Sequence, residues 1–168
     1  MFDTGPVFED VLSRRLGSMH AFALFMACGH EEYAEEIMTR AVLRALEEHL
    51  LGEQPDRSLE RAILADVVTD TPPAALPTGP SATPVQPADR HRLRLVSPAC
   101  LRRAAERIPA RARAAIWLVM VERRSYNETA DLLGIDLDAI ASLLEWRDVL
   151  MRAALDDSAG DVARRFAR

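Results

Sequence analysis

The chain has 168 residues, 49% apolar and 28% charged, with a net charge of −5, which suits one ordinary soluble domain or two small ones. No apolar run approaches the ~20 residues that span a bilayer, and the N-terminus lacks a charged and then apolar leader. Two distant cysteines, Cys28 and Cys100, are too few for a disulfide scaffold or a zinc ribbon, so a cytoplasmic rather than a secreted or membrane protein is expected.

Leu12, Leu16, Met19, Ala23 and Met26 recur at helical spacing, and Gly29 is placed to end that first helix. A second helix is predicted from about residue 31 to 51, turning Ala34, Ile37, Met38, Ala41, Ala45 and Leu46 inward. Gly52 and Pro55 punctuate the gap before a third, over 58–69, with Leu59, Ile63 and Val67 on its buried side. Six of the ten prolines then fall between Pro72 and Pro87, a composition that removes backbone donors and disfavours helix. The expected organisation is a helical domain over 1–70, a Pro-rich linker over 71–96 and a second helical domain over 97–168. Alternating strand patterns and hairpin dipeptides are missing, so the fold class is all-α.

In the second domain, Pro98 suits the first turn of a helix reaching Arg107, and Pro109 opens another carrying Ala112, Ile116, Val119 and Met120. Ser125 and Glu128 stand at capping-box spacing. The short helix they start contains Ala130 and ends at Leu133 and Gly134. Asp136 or Asp138 caps a longer helix with Ile140, Leu143, Leu144 and Leu150. A capped short helix, a glycine turn and a longer helix form a helix-turn-helix pattern, which a plain helical hairpin also satisfies.

Residues 101–147 resemble the promoter-recognition domain of small extracytoplasmic-function sigma factors. The matching features are Ile108-Pro109, Arg113, the apolar run from Ile116 to Glu122, Ser125-Tyr126, Glu128, Ala130 and Leu133-Gly134. Upstream, Ala34-Glu35-Glu36-Ile37 and Leu43-Arg44-Ala45 are similar to that family's polymerase-binding helix, where Thr39-Arg40 replaces a polar and acidic pair. The resemblance implies a region-two-like and a region-four-like domain. It assigns Glu35, Glu36, Ile37, Thr39, Arg40, Leu43 and Arg44 to partner binding. It makes Ser125, Tyr126, Asp138, Ala139, Ala141, Ser142, Leu143, Glu145 and Trp146 partner- or DNA-facing.

The departures from that family share one direction. Its recognition helix is basic, whereas Ala141, Leu143 and Trp146 stand at the basic positions here, among Asp138, Glu145 and Asp148. Neutralising phosphates supplies most non-specific DNA affinity, so weak or absent DNA binding is expected. An exposed Leu143 or Trp146 favours a protein partner instead. The stretch 56–70 lacks the aromatics that would hold melted bases. In this acidic character the chain is closest to the sigma-like domains of stress regulators that sequester an anti-sigma protein. The expected role is therefore a sigma-like regulator that contacts an anti-sigma protein or the RNA polymerase core; the alternative is a working sigma factor that directs polymerase to promoters.

Arg102, Arg103, Arg107, Arg111 and Arg113 form the only basic concentration, read as a solvated face pairing with the acidic first domain or as a nucleic-acid or polymerase contact. Glu31, Glu32, Glu35 and Glu36, near His30 and His49, read as a solvated or partner-facing surface rather than a metal site. Phosphate loops, nucleophile elbows and zinc-protease pairs are missing, so no enzyme activity, cofactor or small-molecule substrate is expected.

Overall fold

The computed structural model describes residues 5–52, 55–68, 84, 86 and 89–166. These residues form helices and no strand: α1 (Gly5–Met26), α2 (Glu31–Leu50), α3 (Pro55–Val68), α4 (Asp89–Leu93), α5 (Pro98–Glu106), α6 (Ala110–Met120), α7 (Tyr126–Leu133) and α8 (Leu137–Phe166). The chain is all-α over the described residues. It divides into two compact units, Met1–Pro72 and Pro73–Arg168. Most of the proline-rich stretch, residues 69–83 with 85, 87 and 88, lies outside the described residues, as does the side chain of Val67. No described helix is long and apolar enough to cross a membrane.

In the first unit α1, α2 and α3 pack against one another. Phe8, Val11, Met19, Phe22, Ala23 and Met26 form the buried stripe of α1. Leu16, expected in that stripe, is exposed, because it sits roughly 80° around the helix from the stripe's centre at 3.6 residues per turn. On α2 the buried residues are Ala34, Ile37, Met38, Ala41 and Ala45, while Leu46 lies at the outer edge. From α3 come Leu59, Ala62, Ile63 and Leu64, and Arg15 pairs with Glu60 to tie α1 to α3. The end of α1 holds a local surprise. Cys28, at φ 52, takes the left-handed position that closes the helix, and Gly29, at φ 80, follows it. Gly29 N–H donates to the Leu24 carbonyl at 2.8 Å and Cys28 N–H to that of Phe25 at 3.1 Å, which satisfies the helix end.

The second unit is built on α8, against which α4, α5, α6 and α7 all pack. Alanines at 104, 105, 112, 114, 115, 130 and 154 line the contacts and let the helix axes approach closely, with Ile108, Ile116, Leu118, Leu133, Ile140, Leu143, Leu150 and Leu155 filling the remaining space. Each such large aliphatic side chain contributes about 1.5–3 kcal/mol when fully buried. Met120, expected in the apolar stripe of α6, is exposed at its C-terminal end. The short helix α4, within the stretch read as linker, packs on α8, and Asp89 pairs with Arg152 at 3.3 Å.

Candidate functional site

The turn between α7 and α8 is fixed at both ends by local chemistry. Ser125 Oγ accepts from the Glu128 amide at 3.3 Å, and the Glu128 carboxylate accepts from the Ser125 amide at 2.9 Å and hydroxyl at 2.7 Å. Those bonds, the hydroxyl's first and then the amide's, hold the Glu128 carboxyl below the usual carboxylate range. At the other end Gly134 adopts φ 61 as a left-handed cap, and Ile135 N–H donates to the Ala130 carbonyl at 3.1 Å. Thr129 is buried because its hydroxyl donates to the Ser125 carbonyl at 2.9 Å. A capped short helix, a left-handed glycine and a second helix thus follow one another as the spacing predicted.

On the first turns of α8 the exposed side chains are Leu137, Asp138, Ala141 and Glu145, with Ala139, Ser142 and Trp146 partly covered. Tyr126 of α7 is 49% exposed. Leu143 is not on this face: it is 1% exposed and packs in the core, because it shares a stripe with Ile140, Leu150 and Ala154. Trp146 turns its indole Nε1 inward, where that atom has no hydrogen-bond partner.

The outer face of α2 carries Glu35, Glu36, Thr39, Arg40, Leu43 and Arg44, all exposed. Arg40 donates to Glu36 at 2.7 Å across one helical turn. Ile37, expected among these contact residues, is buried at 1% because it falls on the opposite, inward stripe.

The arginine concentration is largely used inside its own unit. Arg103 pairs with Asp161 at 2.9 Å and lies 3.6 Å from Asp157, and Arg107 pairs with Asp157 at 3.1 Å. Arg103 on α5 and Arg107 at its C-cap are one turn apart, as Asp157 and Asp161 are on α8, so the two pairs register. That matched spacing is present in the sequence, and the partners lie on α8 of the same unit. Arg164 and Arg103, and then the Cys100 thiol at 3.3 Å, hold the Asp161 carboxyl far below its ordinary value. The hydrogen bond from Arg103 to Asp161 in turn raises the pKa of that guanidinium. Arg113 donates to the Ala105 and Ile108 carbonyls, securing the bend between α5 and α6. Arg111 is only 7% exposed, and its Nε and Nη1 lack hydrogen-bond partners. Of the five, Arg102 stands exposed, with no ion pair among the described residues.

No group of three or more His, Cys, Asp or Glu side chains converges to hold a metal ion among the described residues. Glu31, Glu32, Glu35 and Glu36 spread along the exposed side of α2. No protein-family model matches the chain, and no curated protein matches it.

Proposed function

We propose that this chain is a sigma-factor-like transcription regulator of the cytoplasm that works by protein–protein contact, with an anti-sigma protein or the RNA polymerase core as partner and weak or absent DNA binding. One observation carries this reading. The α7–turn–α8 scaffold keeps its cap and its left-handed glycine, yet the side chains exposed at the start of α8 are Leu137, Asp138, Ala141 and Glu145, with no cation among them. A duplex offers closely spaced phosphates, and a reading helix needs positive charge to bind them. Of the nearby arginines, Arg103 and Arg107 face carboxylates and Arg113 faces backbone carbonyls, which leaves Arg102 as the exposed cation of that group without an ion pair among the described residues. The outer face of α2, with Leu43 exposed between Arg40 and Arg44, supplies the second contact surface.

The test is a reconstitution with the full chain, purified core polymerase and a library of promoter fragments, alongside pull-downs with core polymerase and with candidate anti-sigma proteins. Stable capture of one of these proteins, without promoter-directed transcripts, is the expected result. Introducing Ala141→Arg with Glu145→Arg, both at exposed positions, should weaken that capture. Promoter-specific initiation by polymerase plus this chain would establish a working sigma factor and overturn the proposal.

A further inference from the structure

The outer face of α2 changes character along its length: residues 31–36 carry four glutamates, whereas Leu43, Leu46 and Leu50 follow as an apolar line. These leucines are 58%, 38% and 68% exposed. Their three- and four-residue spacing is that of a coiled-coil seam, with Leu43 and Leu50 at one core position and Thr39 and Leu46 at the other. One flank of the seam holds Arg40 and Glu47, seven residues apart and opposite in charge. The other flank holds Glu35, Val42 and His49, and His49 is stacked on Phe8 of α1 with ring centroids 5.5 Å apart.

We infer that α2 pairs antiparallel with α2 of a second copy of this chain, through a seam of Leu43, Leu46 and Leu50 bordered by Arg40 and Glu47. A two-fold contact must be self-complementary, and this charge order is. When the helices run in opposite directions, equivalent flanks face each other, so Arg40 of each copy meets Glu47 of the other and the pair forms twice. A parallel pair sets Arg40 against Glu35 but leaves Glu47 against Val42, and it stacks Glu32 and Glu36 of the two copies on each other at the core positions, which the antiparallel pair avoids. Arg40 already donates to Glu36, and its guanidinium has five N–H donors, enough to take a second carboxylate. Leu43 packs beside Leu46 of the other copy, and Leu50 beside Thr39. The glutamates at 31–36 fall beyond the overlap, so they do not stack on one another. A seam this short buries on the order of 1,000 Å² in total, the low end for a specific interface, so the dimer is weak and concentration-dependent.

This pairing goes beyond the proposed function and stands independently of it, although it covers Arg40 and Leu43 of the same face. The test is sedimentation equilibrium of the full chain over a wide concentration range. The expected result is a reversible monomer–dimer equilibrium. Arg40→Glu or Glu47→Arg alone should weaken it roughly tenfold or more, since like charges then meet twice. Mixing the two single variants should form a heterodimer, and combining both changes in one chain should restore the homodimer. Leu43→Glu with Leu50→Glu should give a monomer with unchanged helical circular dichroism. A chain that stays monomeric throughout, or an association indifferent to these charge reversals, overturns the inference. Either outcome leaves capture of polymerase or an anti-sigma protein to be decided by its own assay, so the two ideas fail separately.

Discussion

Ser125 serves the start of α7 in two ways, accepting from the Glu128 amide and donating to its carboxylate. Ser125→Ala removes both contacts and should cost about 1 kcal/mol, measurable as a lowered urea midpoint at unchanged slope. Gly134→Ala should cost a similar ~1 kcal/mol through backbone strain. The reason is purely conformational, because φ is 61 and an added Cβ meets nothing within 4 Å. Asp161 makes a pH-dependent contribution. Its pKa is depressed in the folded chain by Arg164, Arg103 and Cys100, so the stability it adds is present above its unfolded value of ~3.9 and is lost as pH falls below that toward the depressed value. Asp161→Asn should therefore destabilise the protein at neutral pH, and the gap from the parent should narrow steadily below about pH 4. Denaturant melts at a series of pH values read this directly.

At the scale of the helix, phase around the axis decides what a residue can do. Leu43 and Leu143 are both leucines on helices assigned to contact partners, yet one is 58% exposed and the other 1%. Leu143→Ala should cost about 2–5 kcal/mol, as a core truncation does, while Leu43→Ala should stay within about 0.5 kcal/mol in the monomer. Thermal melts of the two variants at low concentration would show the contrast. The helices α1, α2, α3, α5, α6 and α7 were legible because short-range signals mark them: Pro98 at the start of α5, the Ser125–Glu128 box, Gly134, and apolar residues three and four apart. Ile37 and Leu143, which the motif alignment sets among contact residues and the helical stripes set inward, are buried as their stripes require. The length of α8 was harder to read, since it passes through Gly160 and is described as far as Phe166 with no strong stop before it. The Arg103–Asp161 and Arg107–Asp157 pairs depend on packing between α5 and α8, which no local pattern specifies. The closure of α1 at Cys28 was equally hidden, because Gly29 next to it satisfies the same rule.

Across the whole molecule, 26 acids stand against 21 arginines, and a protein of that balance needs a concentrated basic surface to hold DNA. The α5–α8 pairs act against such a surface by neutralising Arg103 and Arg107 within one unit. Asp157→Asn with Asp161→Asn releases Arg103 and Arg107, and with them Arg164, which also pairs with Asp161, without adding any new cation. If internal pairing is what suppresses phosphate binding, this variant should bind a random duplex more tightly than the parent at low salt. The plot of log affinity against log salt should also steepen by up to about 2.7, roughly 0.9 for each phosphate newly engaged by the three arginines. Fluorescence anisotropy of a labelled duplex, titrated at several salt concentrations with circular dichroism to verify the fold, provides both numbers. A parent that already binds DNA with a steep salt slope, unchanged in the variant, would show that cations elsewhere in the chain suffice and that the acids of α8 do not govern its partner choice.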